Sequence, residues 1–187
     1  MTGIHVRLEP LDYDHVDALL QAGEGFDWAW MSMDLSSRES MLKWIDAALK
    51  AQERNEEYPF VVKLLSERNR IIGSTRYLDV QCNQKGVEVG WTWYSPAVWG
   101  TPVNPESKFL LLKHAFEDWG AIRVQLKTDS NNLHSQRAIL KLGAKFEGRL
   151  RNHRIRQDGT FRDSMIYSII DSEWPKIRSG LLKRISY

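Results

Sequence analysis

Residues 4–8, Ile4-His5-Val6-Arg7-Leu8, alternate apolar and polar side chains, the period of a half-buried strand, and Glu9-Pro10 ends the run. Residues 12–22 switch to helical spacing, with Val16, Leu19 and Leu20 on one face. An aromatic stretch, Phe26-Asp27-Trp28-Ala29-Trp30-Met31, reads as a loop. Ser36 or Ser37 can cap a second helix, with Glu39 near the capping-box position and Met41, Leu42, Ile45, Ala48 and Leu49 at helical spacing. Three strand-like runs follow, at 58–65, 70–80 and 87–94. The polar separators around Asn69 and across 81–86 are short, which favours antiparallel hairpins.

Residues 104–119 read as a helix. Asn104 suits the N-cap, and Pro105 suits the first helical position because its missing N–H would have no partner there. Phe109, Leu112, Phe116 and Trp119 would form its buried stripe. A strictly alternating strand at 122–127 comes next, then a helix at 131–142 stopped by Gly143. Strands at 146–155 and 162–170 flank Asp158-Gly159, a hairpin turn signal. An amphipathic helix at 171–185 carries Trp174, Ile177 and Leu181. The predicted order is β α α β β β α β α β β α, a mixed α/β chain of the α+β type. No repeat, low-complexity stretch or linker interrupts it, so residues 1–187 read as one domain.

Composition narrows the classes. Hydrophobic residues make up 42% and charged residues 27%, a globular balance. No apolar run approaches the ~20 residues of a membrane span, and residues 1–10 lack the apolar region of a signal peptide. Cys82, the one cysteine, excludes an intrachain disulfide and suits the cytoplasm; its polar surroundings read as a turn, with a surface or half-buried thiol. Metal-ligand spacing is absent, so no metal is expected. Net charge is +2, but residues 145–187 hold ten Lys/Arg against five Asp/Glu, a mild attraction for anions. Strand alternation would turn Arg149 and Arg151 one way and Arg154 and Arg156 the other, splitting the patch around His153. With no aromatic RNA-stacking motif beside it, this argues against a nucleic-acid partner.

The candidate chemistry lies at 88–104: a strand, a loop containing Gly100, then a capped helix start. Free N–H groups and the positive dipole end at such a start bind phosphate, although an ordinary strand-to-helix connection has the same outline. Three segments in order carry a resemblance. The first is Trp99-Gly100-Thr101-Pro102-Val103-Asn104-Pro105-Glu106-Ser107-Lys108; the second is Leu111, Leu112, His114, Ala115, Phe116 and Glu117. The third is Arg123, Val124, Lys127, Thr128, Asp129, Asn132, Ser135 and Ala138. Further matches run through Gly143-Ala144, Glu147-Gly148, Leu150-Arg151, Arg162-Asp163 and Glu173-Trp174-Pro175. This pattern resembles the GNAT N-acetyltransferases, and within them the RimJ/RimL-like branch that acetylates ribosomal-protein N-termini. It departs from the family's broad loop pattern at two of six positions: Ala97 stands where a basic or amide residue is usual, and Pro102, without an N–H, stands where a small residue is usual.

The resemblance implies a mostly antiparallel central sheet flanked by helices, acetyl-CoA as cosubstrate and an amine as acceptor. It implies that Trp99, Gly100, Thr101, Val103 and Asn104 meet the pyrophosphate, with Lys108 one turn into the helix. The strand backbone at Trp91, Trp93 and Tyr94 would pair with the pantetheine arm, and Asn132 would hold that arm by its amide. Ser135 would donate to the departing thiolate, and Glu88 would act as general base; their local alternatives are a helix-start hydrogen bond and a solvated strand glutamate. Asp129 is a weaker base candidate, and His114 and His134 are read as structural or solvent-facing. Trp28, Trp30 and Met31, with Phe26, fall where the fold builds its acceptor side, with core packing as the alternative. A protein N-terminal α-amine is the expected acceptor, being partly neutral at pH 7 where lysine is not. A small-molecule amine, a non-catalytic CoA-binding protein and an RNA-binding protein are the rival readings, and a homodimer is compatible with any of them.

Overall fold

Strand alternation and short polar turns build the sheet, and one long crossover gives it its opening. The computed structural model describes residues 1–186. Among them, seven strands form one sheet: β1 (Val6–Pro10), β2 (Tyr58–Leu64), β3 (Arg70–Gln81), β4 (Gly86–Tyr94), β5 (Arg123–Asp129), β6 (Lys145–Ile155) and β7 (Phe161–Ile170). Their spatial order is β1-β2-β3-β4-β5-β7-β6. The helices are α1 (Val16–Ala22), α2 (Arg38–Glu53), α3 (Val103–Lys113), α4 (Leu133–Leu142) and α5 (Trp174–Ile185). No described helix is long and apolar enough to cross a membrane. Every neighbouring strand pair is antiparallel except β4–β5, which is parallel because α3 carries the chain back across the sheet between them.

The two faces of the sheet bury separate cores. Val87, Val89, Val124, Leu126, Tyr167 and Ile169 pack with residues of α3, α4 and α5. Val61, Ile71 and Trp93 pack on the other side with α1, α2 and the loop residues Trp28 and Leu35. The punctuation read from the sequence holds. Ser37 Oγ accepts from the Ser40 N–H at 3.1 Å at the start of α2, and Gly143 ends α4 at φ +102°. Gly159 takes φ +81° in the β6–β7 turn, and Cys82 is exposed in a single helical turn.

The start and stripe of α3 differ from expectation. Asn104 is not the N-cap. Pro102, at φ −63° and ψ −8°, already has helical backbone angles, so α3 begins at Val103 and places Asn104 and Pro105 inside its first turn. Pro105 is tolerated there because the first N–H groups of a helix have no intrahelical acceptor. Phe109 and Phe116 are half-buried and Trp119 is exposed, whereas Leu110, Leu111, Leu112 and Ala115 are buried. Consecutive leucines suit a helix enclosed on several sides rather than one lying on a surface. The chain then widens into a π-turn at His114–Asp118, which shifts the phase of the later residues and swings Trp119 onto Tyr77 at 4.6 Å between ring centroids.

Two charged side chains are buried in α3. The Glu106 carboxylate accepts the backbone N–H groups of Ile4, His5 and Val6 at 2.6, 2.7 and 2.8 Å, which ties the N-terminal segment to the helix. Lys108 has no carboxylate partner among the described residues. Its Nζ lies 2.5 Å from Thr92 Oγ1 and 3.5 Å from Thr75 Oγ1, beneath β3 and β4. Burial disfavours its charged form and pulls the ammonium down to about 7.

The unfolded chain keeps this proton to near the ordinary lysine value of 10.5, so between about pH 7 and 10 the unfolded state binds more protons. Stability therefore rises with pH through that window, by up to roughly 1 kcal/mol per pH unit. Lys108→Met fills the same space without a charge. Urea unfolding at about pH 7 and pH 9 is expected to show the wild type gaining stability relative to Lys108→Met as pH rises. Parallel profiles for the two proteins would contradict the buried, neutral amine.

Candidate active site

The parallel pair β4–β5 is in register for only three residues, Gly86↔Arg123, Val87↔Val124 and Glu88↔Gln125. Beyond these, β4 continues to Tyr94 and β5 to Asp129 with no ladder between them. The C-terminal ends of two parallel strands therefore frame a gap, the position where open α/β sheets bind ligands. On its other edge β4 pairs with β3 through a bulge, since Ser74↔Trp93 and Arg76↔Gly90 leave Trp91 and Thr92 together opposite Thr75. Trp91 takes φ +48° there. Its ring lies over the buried Arg76 guanidinium at 5.0 Å, Trp44 covers the same group at 4.6 Å, and Glu57 pairs with it at 2.6 Å. Trp93 and Tyr94 are buried in opposite cores. These three residues thus offer backbone to the gap rather than side chain.

The loop after β4 closes one end of the gap. Trp99 is exposed, with its indole N–H donating to the Tyr94 carbonyl at 3.1 Å, and the Thr101 hydroxyl donates to the Val98 carbonyl at 2.6 Å. Gly100 adopts φ +78°, and a Cβ there would meet nothing within 4 Å. Among the described residues, the N–H groups of Gly100, Thr101 and Asn104 have no backbone acceptor. Val103 N–H has only a long contact, 3.4 Å, to Thr101 Oγ1. These are donors left without strong partners at a helix start, a fit for an anion. Lys108 is not among them, because its ammonium is turned under the sheet.

The opposite wall is the turn from β5 into α4. Asn132 caps α4, its Oδ1 accepting the Ser135 N–H at 2.9 Å. The Asn132 amide nitrogen and the Ser135 hydroxyl have no partner among the described residues, so the cap leaves both polar groups available. His134, exposed on the first turn of α4, lies 5.8 Å from the Trp99 ring, so the loop and the helix start meet across the gap. Asp129 is no free base. Burial raises its pKa, but hydrogen bonds from Arg156 and the Asn131 N–H, with the charges of Arg156 and Arg162, outweigh burial and hold it below the usual range.

Polar side chains gather on the α1/α2 face of the sheet. Glu88 is buried, and its Oε2 accepts from Gln125 Nε2 at 2.9 Å and Lys127 Nζ at 3.0 Å. It is an anchored carboxylate at the fork of the gap, not a solvated strand residue. His153 contacts Ser164 Oγ at 2.9 Å; burial and the charges of Lys127, Arg154 and Arg162 lower its pKa. Arg149 and Arg154 face opposite ways as expected, since they stand opposite Met165 and Arg162, three residues apart on β7, although a bulge between Leu150 and Arg154 interrupts the ladder. Two of the arginines are also neutralised, Arg149 by Asp163 and Arg156 by Asp129.

The aromatic loop divides by role. Trp28 is buried, with ring centroids 4.7 Å from Phe26 and 5.0 Å from Trp93, and Met31 is half-buried against the same core. Trp30 is exposed. Residues 26–30 line a cavity of about 770 Å³ whose other wall is the β6–β7 turn with Arg156 and Gln157. Sequence reading missed the partners of Arg76, Lys127, Arg156 and Gln157, which lie 19 to 129 residues away.

The sequence model of the acetyltransferase (GNAT) domain matches residues 5–145. No curated protein sequence matches the chain. A structure from T. thermophilus assigned to the acetyltransferases is 34% identical over 98% of this chain and 95% of its own, with a TM-score of 0.87. A GCN5-related N-acetyltransferase from Brucella melitensis is 26% identical over 97% and 83%, with a TM-score of 0.89. The RimL ribosomal L7/L12 α-N-protein acetyltransferase, solved with coenzyme A, shares the fold at 18% identity over 91% and 97%, with a TM-score of 0.76. With the family pattern matched over most of its length and the fold matched throughout, the chain belongs to the GNAT family and is an N-acetyltransferase that uses acetyl-CoA as cosubstrate.

Proposed function

We propose that the enzyme acetylates an N-terminal α-amine of a protein or peptide from acetyl-CoA held between β4 and β5. One observation carries the placement of the cosubstrate. The β4 edge is unpaired beyond Glu88 and leads into a helix start whose N–H groups are free. An extended pantetheine arm can pair with such an edge as an added strand does. Its pyrophosphate would then meet the N–H groups of Gly100, Thr101, Val103 and Asn104, with Trp99 beside them. The Asn132 amide would hold the arm from the α4 side. The exposed thiol of Cys82 suits a reducing, cytoplasmic setting.

In the reaction, the neutral amine attacks the thioester carbonyl, the C–N bond forms and the C–S bond breaks. The proton leaving the amine passes through water to Glu88, whose Oε2 is held by β5 and whose Oε1 is uncommitted among the described residues. The Ser135 hydroxyl donates to the departing thiolate. An anchored carboxylate needs only to accept a proton from an amine that is already partly neutral. That favours an α-amine, near 7.7–8.0, over a lysine near 10.4, by about 3–4 kcal/mol in the fraction ready to attack. The likeness to RimL agrees with this acceptor class, as a likeness of fold. Trp28, Trp30 and Met31 would line the acceptor side of the cavity.

Asn132 and Ser135 are expected to separate in steady-state kinetics. Asn132→Asp keeps the cap and removes the amide donor, so it should raise the apparent KM for acetyl-CoA severalfold with little change in kcat. Ser135→Ala should lower kcat, because its partner gains charge only as the thiolate leaves. Equal, small effects from both changes would remove them from these roles.

The acceptor is tested with kcat/KM for wild type and Glu88→Gln across about pH 6–9. The acceptors are a free N-terminal peptide, an Nα-blocked lysine peptide and a set of small amines. The free peptide should be preferred. The Glu88→Gln deficit should be largest at low pH, where neutral amine is scarcest. Preference for the blocked peptide, or turnover confined to a small amine, would overturn the α-amine acceptor. A deficit independent of pH would remove Glu88 as base.

A further inference from the structure

The tip of the β6–β7 hairpin reaches both walls of the site at once. Gln157 is exposed, yet its Nε2 donates to two carbonyls of the aromatic loop, Trp28 at 2.8 Å and Met31 at 3.0 Å. The preceding residue turns the other way. Arg156 Nε and Nη2 grip the two oxygens of buried Asp129 at 2.7 and 2.9 Å, while Nη1 donates to the Phe161 carbonyl at 2.6 Å. A forked guanidinium on one carboxylate fixes orientation as well as distance.

Asp129 passes that constraint to the start of α4. Its Oδ1 accepts the Asn131 N–H at 2.8 Å. Gln136 Nε2 holds the carbonyls of Asp129 and Ser130 at 3.2 and 2.8 Å, and Gln136 in turn accepts from Tyr167 at 3.3 Å. Asn132 and Ser135 follow directly in the chain. The tip itself is stiff. Asp158 accepts from the N–H and hydroxyl of Thr160 at 2.9 and 2.7 Å, and the Arg156 N–H donates to the Thr160 carbonyl at 2.9 Å.

We propose that this tip is a strap that sets the acceptor-side loop, Trp28–Met31, relative to the cofactor-side turn before α4, with Gln157 and Arg156 as its positioning residues. The proposal rests on the cosubstrate and acceptor placement given above. Its reason is geometric. The two walls belong to segments about a hundred residues apart and must stay registered to within a fraction of an ångström for amine and thioester to meet. Gln157 contributes little to global stability, because an exposed hydrogen bond is worth only about 0.5–1.5 kcal/mol. What it supplies is coupling: fixing the α4 start with cosubstrate should quieten the loop at the other end of the strap.

Hydrogen exchange followed by mass spectrometry, on the full chain with and without CoA, reads this coupling. In the wild type, CoA should slow exchange at 99–104 and also at 28–33, the latter by about two- to tenfold, the span of one such hydrogen bond. Gln157→Glu keeps the size of the side chain but sets a carboxylate against two carbonyls. It should abolish the CoA effect at 28–33 while keeping it at 99–104. Residues 24–27 serve as an internal control, because the Phe26 ring stands edge-on to Trp99, 6.4 Å between ring centroids, and does not need the strap. Gln157→Lys, which restores a donor, should recover the effect. A CoA effect at 28–33 unchanged by Gln157→Glu overturns the strap. So does a wild type protected at 99–104 but not at 28–33. No CoA effect at 99–104 overturns the cosubstrate placement itself, and the strap with it.

Discussion

The parting of β4 from β5 is the constraint on which the site depends. Two parallel strands joined by a helical crossover would ordinarily pair along their length, and here three residue pairs suffice. Polar contacts meet at the point of parting. Glu88 of β4 binds Gln125 and Lys127 of β5, so the last paired residues are stapled by side chains just where the backbone ladder ends. The bulge at Trp91 and Thr92 then bends the free part of β4, with Arg76 and Trp44 stacked beneath it. An unpaired edge inside a sheet leaves backbone donors and acceptors without partners, and a cosubstrate with its own amides can supply them.

The second support is α3, whose N-terminus faces the gap while its body is enclosed by protein. Its buried charges are handled in two ways. Glu106 remains a fully bonded acceptor for three backbone N–H groups and so fixes the N-terminal segment. Lys108 lacks an anionic partner among the described residues, and burial favours its neutral form. A helix held this way along its body presents its first turn with little freedom, which preorganises the free N–H groups for an anion.

Much of the fold was legible in the sequence. Alternation marked strands that the structure places within a residue or two, and Ser37, Gly143 and the Asp158-Gly159 turn sit where local chemistry requires them. The order of short motifs from Trp99 to Ala138 was legible too, since each is local in sequence. What escaped was what depends on enclosure or distance. Pro102 began α3 early, and a π-turn moved Trp119 out of the stripe that helical periodicity assigned to it. The resemblance sets Lys108 beside the pyrophosphate loop, but its Nζ lies under the sheet. Glu88 meets partners 37 and 39 residues away, and Gln157 reaches back 126 and 129 residues. No local pattern encodes such pairs.

A crystal structure of the enzyme with CoA tests the placement of the cosubstrate most directly. The pantetheine arm should run along β4, with its amides in hydrogen-bond contact with backbone groups between Trp91 and Tyr94, and the pyrophosphate should meet the N–H groups of residues 100–104. A CoA whose pyrophosphate lies away from that helix start, or whose arm leaves the β4 edge unpaired, would contradict it.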